Sequence, residues 1–414
     1  MKNLEEVRAI VEQHESWRRN CLNLIASENQ PSRTVRNLEA CDFMNRYATF
    51  EADDPNVRKY RGLKYIIEAE NLAIGLAKSL FQAEHADLRP ISGTMAGLAV
   101  IFGATTKGDL VMETGVEIGS HLVVKKFLSS NIVDLRLDFL PSDVKSYNVE
   151  IDRAIKDIRK KRPKLVILGS SNFLFPHPVK EIKPAVEEVN GCLAYDASHV
   201  LGLLSGKKFQ APFKEGADIV FGGTNKTFPG PQGGIILAKK ADLSRYIRIY
   251  PNLIDNHHLG RIPALACALI ELMEFGEQYA EQVITNARTL GEQLTEEGFK
   301  VPYEHLGFTD SHTILMDVSE YGGGKVAAAL LERSNIIVNT TTLPIDVQGL
   351  KGPSGIRLGT QEMTRFGMKK DEMREIATLM RKVLIEKKDP ERIGREAQHF
   401  RSGFQKLQFS FDKS

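Results

Sequence analysis

A single lysine occurs in a stretch that can form neither a helix nor a central strand. The segment TNKTFPGPQGG, residues 224–234, places Lys226 ahead of two prolines and three glycines. Proline cannot donate to a β-ladder, and both residue types disfavour helix interiors. A surface lysine needs no such setting, whereas an amine that forms a covalent bond must be held at one place. The segment therefore predicts a loop that presents Lys226 as a nucleophile.

A carboxylate is the second candidate for chemistry. Asp196 ends the apolar run CLAYD, and Lys226 follows the next run, DIVFGG at 218–223. The carboxyl ends of parallel strands line the ligand crevice of such sheets, and a buried carboxylate requires a cation or a donor. The two groups could form an ion pair, or Asp196 could cap a turn. They are also the pair that pyridoxal phosphate requires, a carboxylate for the pyridine nitrogen and a lysine for the Schiff base.

The phosphate of such a cofactor would need backbone N–H groups at the start of a helix. In RPISGTMAGLAVIFGATTKGD, residues 89–109, Ser92 is a candidate N-cap and Gly93 allows close approach of a ligand to the backbone. A capped helix without a ligand is the alternative, because serine and glycine are common at helix starts.

Two further side chains have two interpretations each. His121 could stack on a flat ring or be an ordinary satisfied histidine. Arg357, inside the apolar pattern PSGIRLGT, could hold a substrate carboxylate bidentately or pair with a structural aspartate. His257 and His258 are adjacent and have no third ligand at a suitable spacing, so we predict no metal site.

Short apolar runs alternating with helical patterns must position these groups. The runs predicted as strands are 110–114, 132–140, 164–170, 192–198, 218–223 and 233–239, with helices at 150–160 and 179–190 among them. Strands alternating with helices predict an α/β fold with a mostly parallel sheet covered on both faces.

A long helical pattern then leads to a second set of elements. Apolar residues recur at three-and-four spacing over 263–299. Predicted strands at 312–318, 336–340 and 355–360 follow, with helices at 324–333 and 370–387. We therefore predict an N-terminal segment (1–50), a large domain (51–262), and a linking helix with a small C-terminal α/β domain (263–414).

Composition excludes several classes of function. The 414 residues carry a formal charge of +2 with both signs interspersed, which gives no electrostatic reason to expect nucleic acid. No stretch approaches the roughly 18 apolar residues of a membrane span, and residues 1–20 are charged throughout, unlike a secretory signal. The four cysteines are far apart, as expected for free thiols in a cytoplasmic protein.

Taken in order, these pieces resemble serine hydroxymethyltransferase, a pyridoxal phosphate enzyme of the aspartate aminotransferase fold (fold type I). The resemblance spans nearly the whole chain. The stretches FPHPVKEI, NHHL and EFGEQYA are similar to those of the archaeal branch of the family. The motifs that carry it are LNLIASEN (22–29), SGT (92–94), GSHL (119–122), YDASHVLGL (195–203), TNKTFPGPQGG (224–234) and SGIRLGTQEMTRFGM (354–368).

The resemblance implies a role for each matching residue. Lys226 would be the Schiff-base lysine, Asp196 would pair with the pyridine nitrogen, His121 would stack over the ring, and His199 would lie beside the ring hydroxyl. Arg357, helped by Ser27, would bind the amino-acid carboxylate. Further cofactor contacts are expected from Ser92, Gly93, Thr94 and Thr224, and, across a homodimer with shared active sites, from Tyr47, Gly233 and Gly234.

Departures from the family pattern cluster where the hydroxymethyl group and its carrier would bind. Asn225 replaces the histidine usual before the lysine, and an amide does not titrate near neutrality. The usual tyrosine-alanine-glutamate-glycine run reads Tyr47-Ala48-Thr49-Phe50, so the glutamate is missing from its place and Glu51 lies two residues on. Arg61 stands where an aromatic or acidic side chain is common, and Ser120 replaces a glycine before His121.

The first functional hypothesis is therefore a serine hydroxymethyltransferase or close homologue, interconverting serine and glycine with tetrahydrofolate or tetrahydromethanopterin as carrier. With the usual glutamate displaced, Glu51, His199 or a water would take the hydroxyl proton. The second hypothesis is a pterin-independent aldolase or transaldolase acting on another β-hydroxy amino acid. The third is a cofactor-binding paralogue that has lost catalysis.

Overall fold

The structure is a computed structural model, and it describes residues 2–50, 56–129, 134–239, 253–349 and 352–412. Its strands are β1 (Leu22–Asn23), β2 (His85–Asp87), β3 (Leu110–Glu113), β4 (Arg136–Phe139), β5 (Ser142–Asp143), β6 (Asn148–Val149), β7 (Leu165–Gly169), β8 (Cys192–Asp196), β9 (Ile219–Gly223), β10 (Gly234–Ala238), β11 (Thr313–Asp317), β12 (Ile336–Ile337), β13 (Asn339–Thr341) and β14 (Gly355–Gly359).

The α-helices are α1 (Lys2–Arg19), α2 (Arg33–Glu39), α3 (Lys64–Phe81), α4 (Gly93–Ala104), α5 (Val123–Ser129), α6 (Ile151–Lys161), α7 (Val179–Glu188), α8 (Leu201–Ser205), α9 (Pro212–Glu215), α10 (Arg261–Glu296), α11 (Gly323–Arg333), α12 (Pro344–Gly349), α13 (Gln361–Arg365), α14 (Lys370–Leu384) and α15 (Pro390–Ser402). Short 3₁₀ turns occur at Asp42–Asn45, Val116–Ile118, Glu304–Leu306 and Ser319–Tyr321.

The chain divides into two compact units. The larger unit contains Ser27–Glu281 and Phe409–Lys413, and the smaller unit contains Met1–Ala26 and Gln282–Gln408. One boundary therefore falls inside the long helix α10. The functional domain limits predicted from the sequence, 1–50, 51–262 and 263–414, stay a prediction.

A seven-stranded mixed sheet forms the framework of the larger unit. The strand order is β2-β10-β9-β8-β7-β3-β4, and β9, β8, β7, β3 and β4 run parallel to one another. β10 is antiparallel to both of its neighbours. The reversal follows from the short connection, because only ten residues without a helix separate β9 from β10, too few for a parallel crossover.

Helix α4 is buried against this sheet along most of its length. Eight of its twelve residues are buried, including Ala96, Ala99 and Val100 in an apolar core cluster with Phe221 and Ile236. A Cβ added to Gly97 would lie 3.0 Å from the ring of Phe221 on β9, so glycine lets the helix approach the sheet closely. The close contact fixes the start of α4 relative to the end of β9.

The smaller unit has its own sheets and its own core. β11, β14 and β13 form an antiparallel three-stranded sheet, and β1 pairs in parallel with β12. Apolar side chains of α11, α14 and α15, such as Leu331, Met380 and Ala397, pack in one buried cluster with Leu22 of β1.

Most predicted elements are confirmed within a few residues, as is the α/β class with a mostly parallel sheet. One prediction is wrong in detail: the single strand expected at 336–340 is divided into β12 and β13, which pair in different sheets. Part of the predicted strand 132–140 lies outside the described residues, and β4 covers Arg136–Phe139 of it. Within the described ranges, no helix combines the length and the apolar character needed to cross a membrane.

Candidate active site

Asp196 lies at the carboxyl end of β8, in the middle of the large sheet. It pairs in register with Gly169 on β7, where an added Cβ would lie 2.6 Å from the Asp196 Cβ. The carboxylate is buried, and its Oδ1 accepts a hydrogen bond from the Ser198 backbone N at 2.9 Å. A glycine on the neighbouring strand thus leaves room for a buried acid at the strand end.

The loop that carries Lys226 joins β9 to β10 and closes on itself. The Thr224 N donates to the Gly233 O at 3.0 Å, and the Gly230 N donates to the Thr224 O at 3.0 Å. The Thr224 hydroxyl donates to the Pro231 O at 2.7 Å. Since β8 and β9 are adjacent parallel strands, Asp196 and the start of the lysine loop lie at neighbouring strand ends.

Buried contacts hold the backbone of this loop at Lys226 and Thr227. The Thr227 hydroxyl donates to the His199 O at 2.7 Å. The Tyr279 hydroxyl donates to the Thr227 O at 3.0 Å, and the Asn29 Nδ2 donates to the Lys226 O at 2.7 Å. Asn29 also contacts the Tyr279 hydroxyl at 2.9 Å, so these two residues act as one support.

The start of helix α4 meets the same strand ends. Ser92 is the N-cap as predicted, since its side chain accepts from the Met95 N at 3.1 Å. A Cβ added to Gly93 would lie 2.9 Å from the Gly223 N and 3.0 Å from the Ser198 Oγ. The first-turn N–H groups of a helix have no partner within the helix, and Ser92, Gly93 and Thr94 remain partly accessible. This cradle of donors suits a phosphate group.

An unusual turn presents His121. Gly119 has a φ of +76°, and a Cβ there would lie 2.6 Å from the Asn172 Cβ, so glycine is required. Leu122 has a φ of +55°, and its N donates to the Ser120 Oγ at 3.1 Å. The imidazole Nε2 lies 2.8 Å from the Lys126 Nζ.

A buried carboxyl group, Glu113 at the end of β3, also lies in this part of the sheet. It is 2% exposed, its Oε2 is 3.4 Å from the Val124 N in the first turn of α5, and its Oε1 is buried without a hydrogen-bond partner. Burial raises the pKa of Glu113 to about 7, and the negative charge of Asp196 contributes in the same direction.

Gly233 and Gly234 are buried against their own chain. A Cβ on Gly233 would overlap the Arg261 guanidinium, and the Gly234 N donates to the Pro90 O at 2.8 Å. Gln232, which directly precedes the two glycines, is exposed. The expected contact of Gly233 and Gly234 with a partner's cofactor stays a prediction.

The segment that departs most from the family pattern is described only in part, and Glu51 lies outside the described residues. Tyr47 is 53% exposed, with its ring centroid 5.4 Å from that of Tyr60. The Thr49 hydroxyl donates to the Asp255 O at 2.9 Å, and Arg61 donates to the Arg58 O at 3.1 Å.

A buried cluster of charged side chains contacts this segment. The Arg58 and Glu70 side chains are 2.6 Å apart, and the His257 Nε2 lies 2.6 Å from the other Glu70 oxygen. The Arg58 and Arg89 guanidinium groups lie 3.9 and 4.4 Å from the Phe50 ring centroid. His257 therefore has a carboxylate partner, and among the described residues no three His, Cys, Asp or Glu side chains form a metal-binding group.

Ser27 opens the larger unit and is half-buried, whereas Arg357 belongs to the smaller unit. Arg357 lies on β14, is 8% exposed, and donates through Nε to the Asn339 Oδ1 at 3.3 Å. The expected role of Arg357 in binding the substrate carboxylate stays a prediction.

Sequence reasoning missed several contributors. Asn29 stands inside LIASEN and Tyr279 inside EFGEQYA, both stretches that had been noted for resemblance alone. Asn29 lies 197 positions from its partner Lys226, and Tyr279 lies 250 positions from its partner Asn29. No local sequence pattern encodes contacts over such separations.

These features define the pyridoxal-phosphate-dependent enzymes of fold type I: a mixed sheet in an α/β fold, an acid and a lysine at adjacent strand ends, and a capped helix start beside them. The crystal structure of L-threonine transaldolase from Pseudomonas fluorescens in its internal aldimine state is similar, with a TM-score of 0.90 and 27% identity over 100% of this chain and 96% of that one.

The family model described as serine hydroxymethyltransferase matches residues 1–380. Serine hydroxymethyltransferases of Pyrococcus horikoshii and Methanopyrus kandleri are 45% and 44% identical, each over 99% of this chain and 97% and 96% of the relative. The chain belongs to the serine hydroxymethyltransferase family, which confirms the resemblance seen in the sequence. The family and the transaldolase structure imply pyridoxal phosphate as the cofactor.

Proposed function

We propose that this protein is a pyridoxal-phosphate-dependent hydroxymethyltransferase that interconverts serine and glycine with a reduced pterin carrier. The observation that carries the proposal is the placement of Asp196 and the Lys226 loop beyond adjacent parallel strands, with the start of helix α4 packed on the same strand ends. When bound, pyridoxal phosphate supplies an electron sink for a bond broken at the substrate Cα.

The residues of the larger unit hold and orient the cofactor. Lys226 would bind its aldehyde covalently, and Asp196 would keep a proton on the pyridine nitrogen. His121 would stack over the ring, and His199 would lie beside the ring hydroxyl. Ser92, Gly93 and Thr94 would hold the phosphate, with Thr224 near it, and Tyr47, Gly233 and Gly234 would contribute across a homodimer.

The amino-acid substrate is bound through its carboxylate by Arg357 and Ser27, because a guanidinium offers two parallel donors to a carboxylate. Retro-aldol cleavage of serine then requires a base for the hydroxyl proton. Glu51, His199 or a water takes this role. We further propose a cytoplasmic homodimer with shared active sites.

A pterin-independent aldolase or transaldolase is the second candidate, and the similarity to a threonine transaldolase favours it. Both candidates share the cofactor site, so the carrier separates them. The segment 47–61, where the family glutamate is displaced, is the place where the two would differ.

The deciding experiment is an assay of the purified holoenzyme with glycine, serine, alanine and threonine in turn, each with and without tetrahydrofolate or tetrahydromethanopterin. We expect serine cleavage that rises with carrier concentration and saturates. Serine cleavage at the same rate without any pterin would refute the hydroxymethyltransferase assignment, and a preference for threonine with an aldehyde acceptor would establish the transaldolase.

The Lys226→Ala variant is the matched control. It is expected to lose covalent cofactor attachment and turnover with every amino acid. The protein would be the inactive paralogue if the wild type bound the vitamer, its absorbance spectrum responded to no amino acid, and it converted none of them.

A further inference from the structure

The last four described residues, Phe409–Asp412, return to the larger unit after the chain has run through the smaller one from Gln282 to Gln408. We call these four residues the C-terminal strap. The match to the family model ends at residue 380, before the strap begins. The strap contacts Tyr279, which binds the lysine loop.

The end of the strap anchors helix α2. The Asp412 carboxylate accepts hydrogen bonds from the Arg33 N at 2.6 Å, the Thr34 N at 3.0 Å and the Thr34 hydroxyl at 2.9 Å. Ser32 caps a further amide of the same turn, that of Val35. Because Asn29 lies only four residues before this helix, the anchor restrains the segment that supplies Asn29.

Phe411, in the middle of the strap, forms part of the wall of an apolar groove and is 48% exposed. The Phe411 ring is 5.2 Å from the Phe275 ring, centroid to centroid, and its N is 3.4 Å from the Glu271 Oε1. The groove is lined by Phe411 with Leu38, Ala69, Leu72, Pro263, Ala266, Cys267 and Ile270. Burial of part of one aromatic ring supplies about 1–2 kcal/mol to hold the strap in place.

The start of the strap contacts Tyr279 directly. The Phe409 ring centroid lies 5.7 Å from that of Tyr279, at an interplanar angle of 53°. Phe409 has a φ of +56°, a conformation that is uncommon for a bulky side chain and must be compensated by its contacts. Tyr279 is 1% exposed, and the Phe409 ring is one of the groups that pack against it.

The strap therefore contacts Tyr279 directly, and it contacts helix α2, which follows Asn29 in the chain. Tyr279 bonds the Thr227 O, and Asn29 bonds the Lys226 O. Phe409 fixes the first by ring contact, and Asp412 fixes the second through helix α2. The two routes begin at different strap residues and end at adjacent peptide carbonyls.

We propose that the C-terminal strap is a positioning element for Lys226, which sets the direction of the amine by holding Tyr279 and Asn29. The inference rests on the proposed function, because Lys226 is taken as the residue that binds the cofactor. A displacement of a reacting group by about 1 Å can cost roughly a hundredfold in rate. We accordingly expect loss of the strap to slow covalent attachment of the cofactor by about ten- to a hundredfold.

The experiment compares the full chain with a chain ending at Gln408, and uses a chain ending at Asp412 as control. The first readout is amide hydrogen exchange of the apoprotein. We expect faster exchange at residues 224–230, at Gly202, whose N bonds the Thr227 Oγ1, and at Arg33 and Thr34, in the chain ending at Gln408 only. The second readout is the rate of covalent attachment of pyridoxal phosphate, measured by absorbance at about 420 nm.

Two point variants keep the test decisive if the shortened chain does not fold. Phe409→Ala should reproduce the effect on residues 224–230 and on attachment, whereas Phe409→Tyr, which keeps the ring, should restore both. Faster exchange confined to Arg33 and Thr34, with attachment at the wild-type rate, would overturn the proposal. Failure of the proposed function is recognised separately, since borohydride reduction of the wild type would then leave Lys226 unlabelled.

Discussion

Asp196 is buried at a strand end where its neighbour Gly169 provides the space, and its Oδ1 is held by the Ser198 N. A carboxylate buried in this way is stabilised most by a cationic partner. The protonated pyridine nitrogen of the proposed cofactor is such a partner. The residue scale thus contains the strongest argument for the class of chemistry.

Asp196→Asn should retain the cofactor but lose most of its activity. The amide cannot hold the proton on the pyridine nitrogen, and a charge-assisted hydrogen bond of about 3 kcal/mol corresponds to a roughly hundredfold effect. The measurement is kcat/KM for serine cleavage, with bound cofactor determined by absorbance. Unchanged kcat/KM would contradict the assigned role of Asp196.

Glu113 makes stability depend on pH. Burial raises its folded-state pKa from 4.5 to about 7, so the folded chain binds the proton more tightly than the unfolded chain. Stability from this group is therefore present below pH 4.5 and is lost as the pH rises through 7. The loss is on the order of 3 kcal/mol.

Glu113→Gln should remove this dependence, because the amide stays neutral throughout. Urea unfolding at pH 5 and pH 8 should show a smaller decrease in the free energy of unfolding for the variant than for the wild type. Glu181→Gln, a change at an exposed position of α7, is the control. Equal decreases in wild type and Glu113→Gln would show that Glu113 does not titrate in this range.

At the scale of elements, the start of helix α4 is placed by two glycines. Gly97 lets the helix contact Phe221, and Gly93 lets its first turn approach Gly223 and Ser198. Ser92 caps the Met95 N, and the other first-turn N–H groups of a helix are available to a ligand. The helix can approach the strand this closely because Gly93 and Gly97 have no Cβ at the points of contact.

Gly93→Ala should weaken cofactor binding by about tenfold or more. The new Cβ would lie 2.9 Å from the Gly223 N, a backbone atom that cannot move without disturbing β9. The dissociation constant of pyridoxal phosphate measures the effect. Gly75→Ala is the matched control, since nothing lies within 4 Å of its Cβ position in helix α3, and it should stabilise the fold by about 0.5–1 kcal/mol.

At the scale of the whole molecule, the proposed homodimer determines which chain supplies each part of a site. Tyr47 is 53% exposed on its own chain, so the residue is accessible to a partner. A two-fold axis would generate two equivalent shared sites.

Mixing two inactive variants tests this arrangement. Lys226→Ala and Tyr47→Ala should each lose activity, whereas a re-equilibrated equimolar mixture should regain about a quarter of it, because half of the dimers would be hybrids with one intact site. Serine cleavage after mixing is the measurement. A mixture that stays inactive would show that Lys226 and Tyr47 serve the same chain's site.

The sequence by itself determined the type of most elements and the residues that could carry chemistry. Lys226 is identified by its proline- and glycine-rich neighbours, and Ser92 and Gly93 by local helix-start chemistry, because both signals act over a few residues. The alternation of strands and helices likewise predicted the parallel part of the sheet.

Tertiary structure alone decided which distant groups support the site. Asn29, Tyr279 and the strap act through contacts between residues far apart in the chain. The burial that raises the Glu113 pKa exists only once the sheet has formed. The separation of β12 from β13 was decided in the same way. Pairing partners and desolvation are properties of the folded chain, so no local pattern could reveal them.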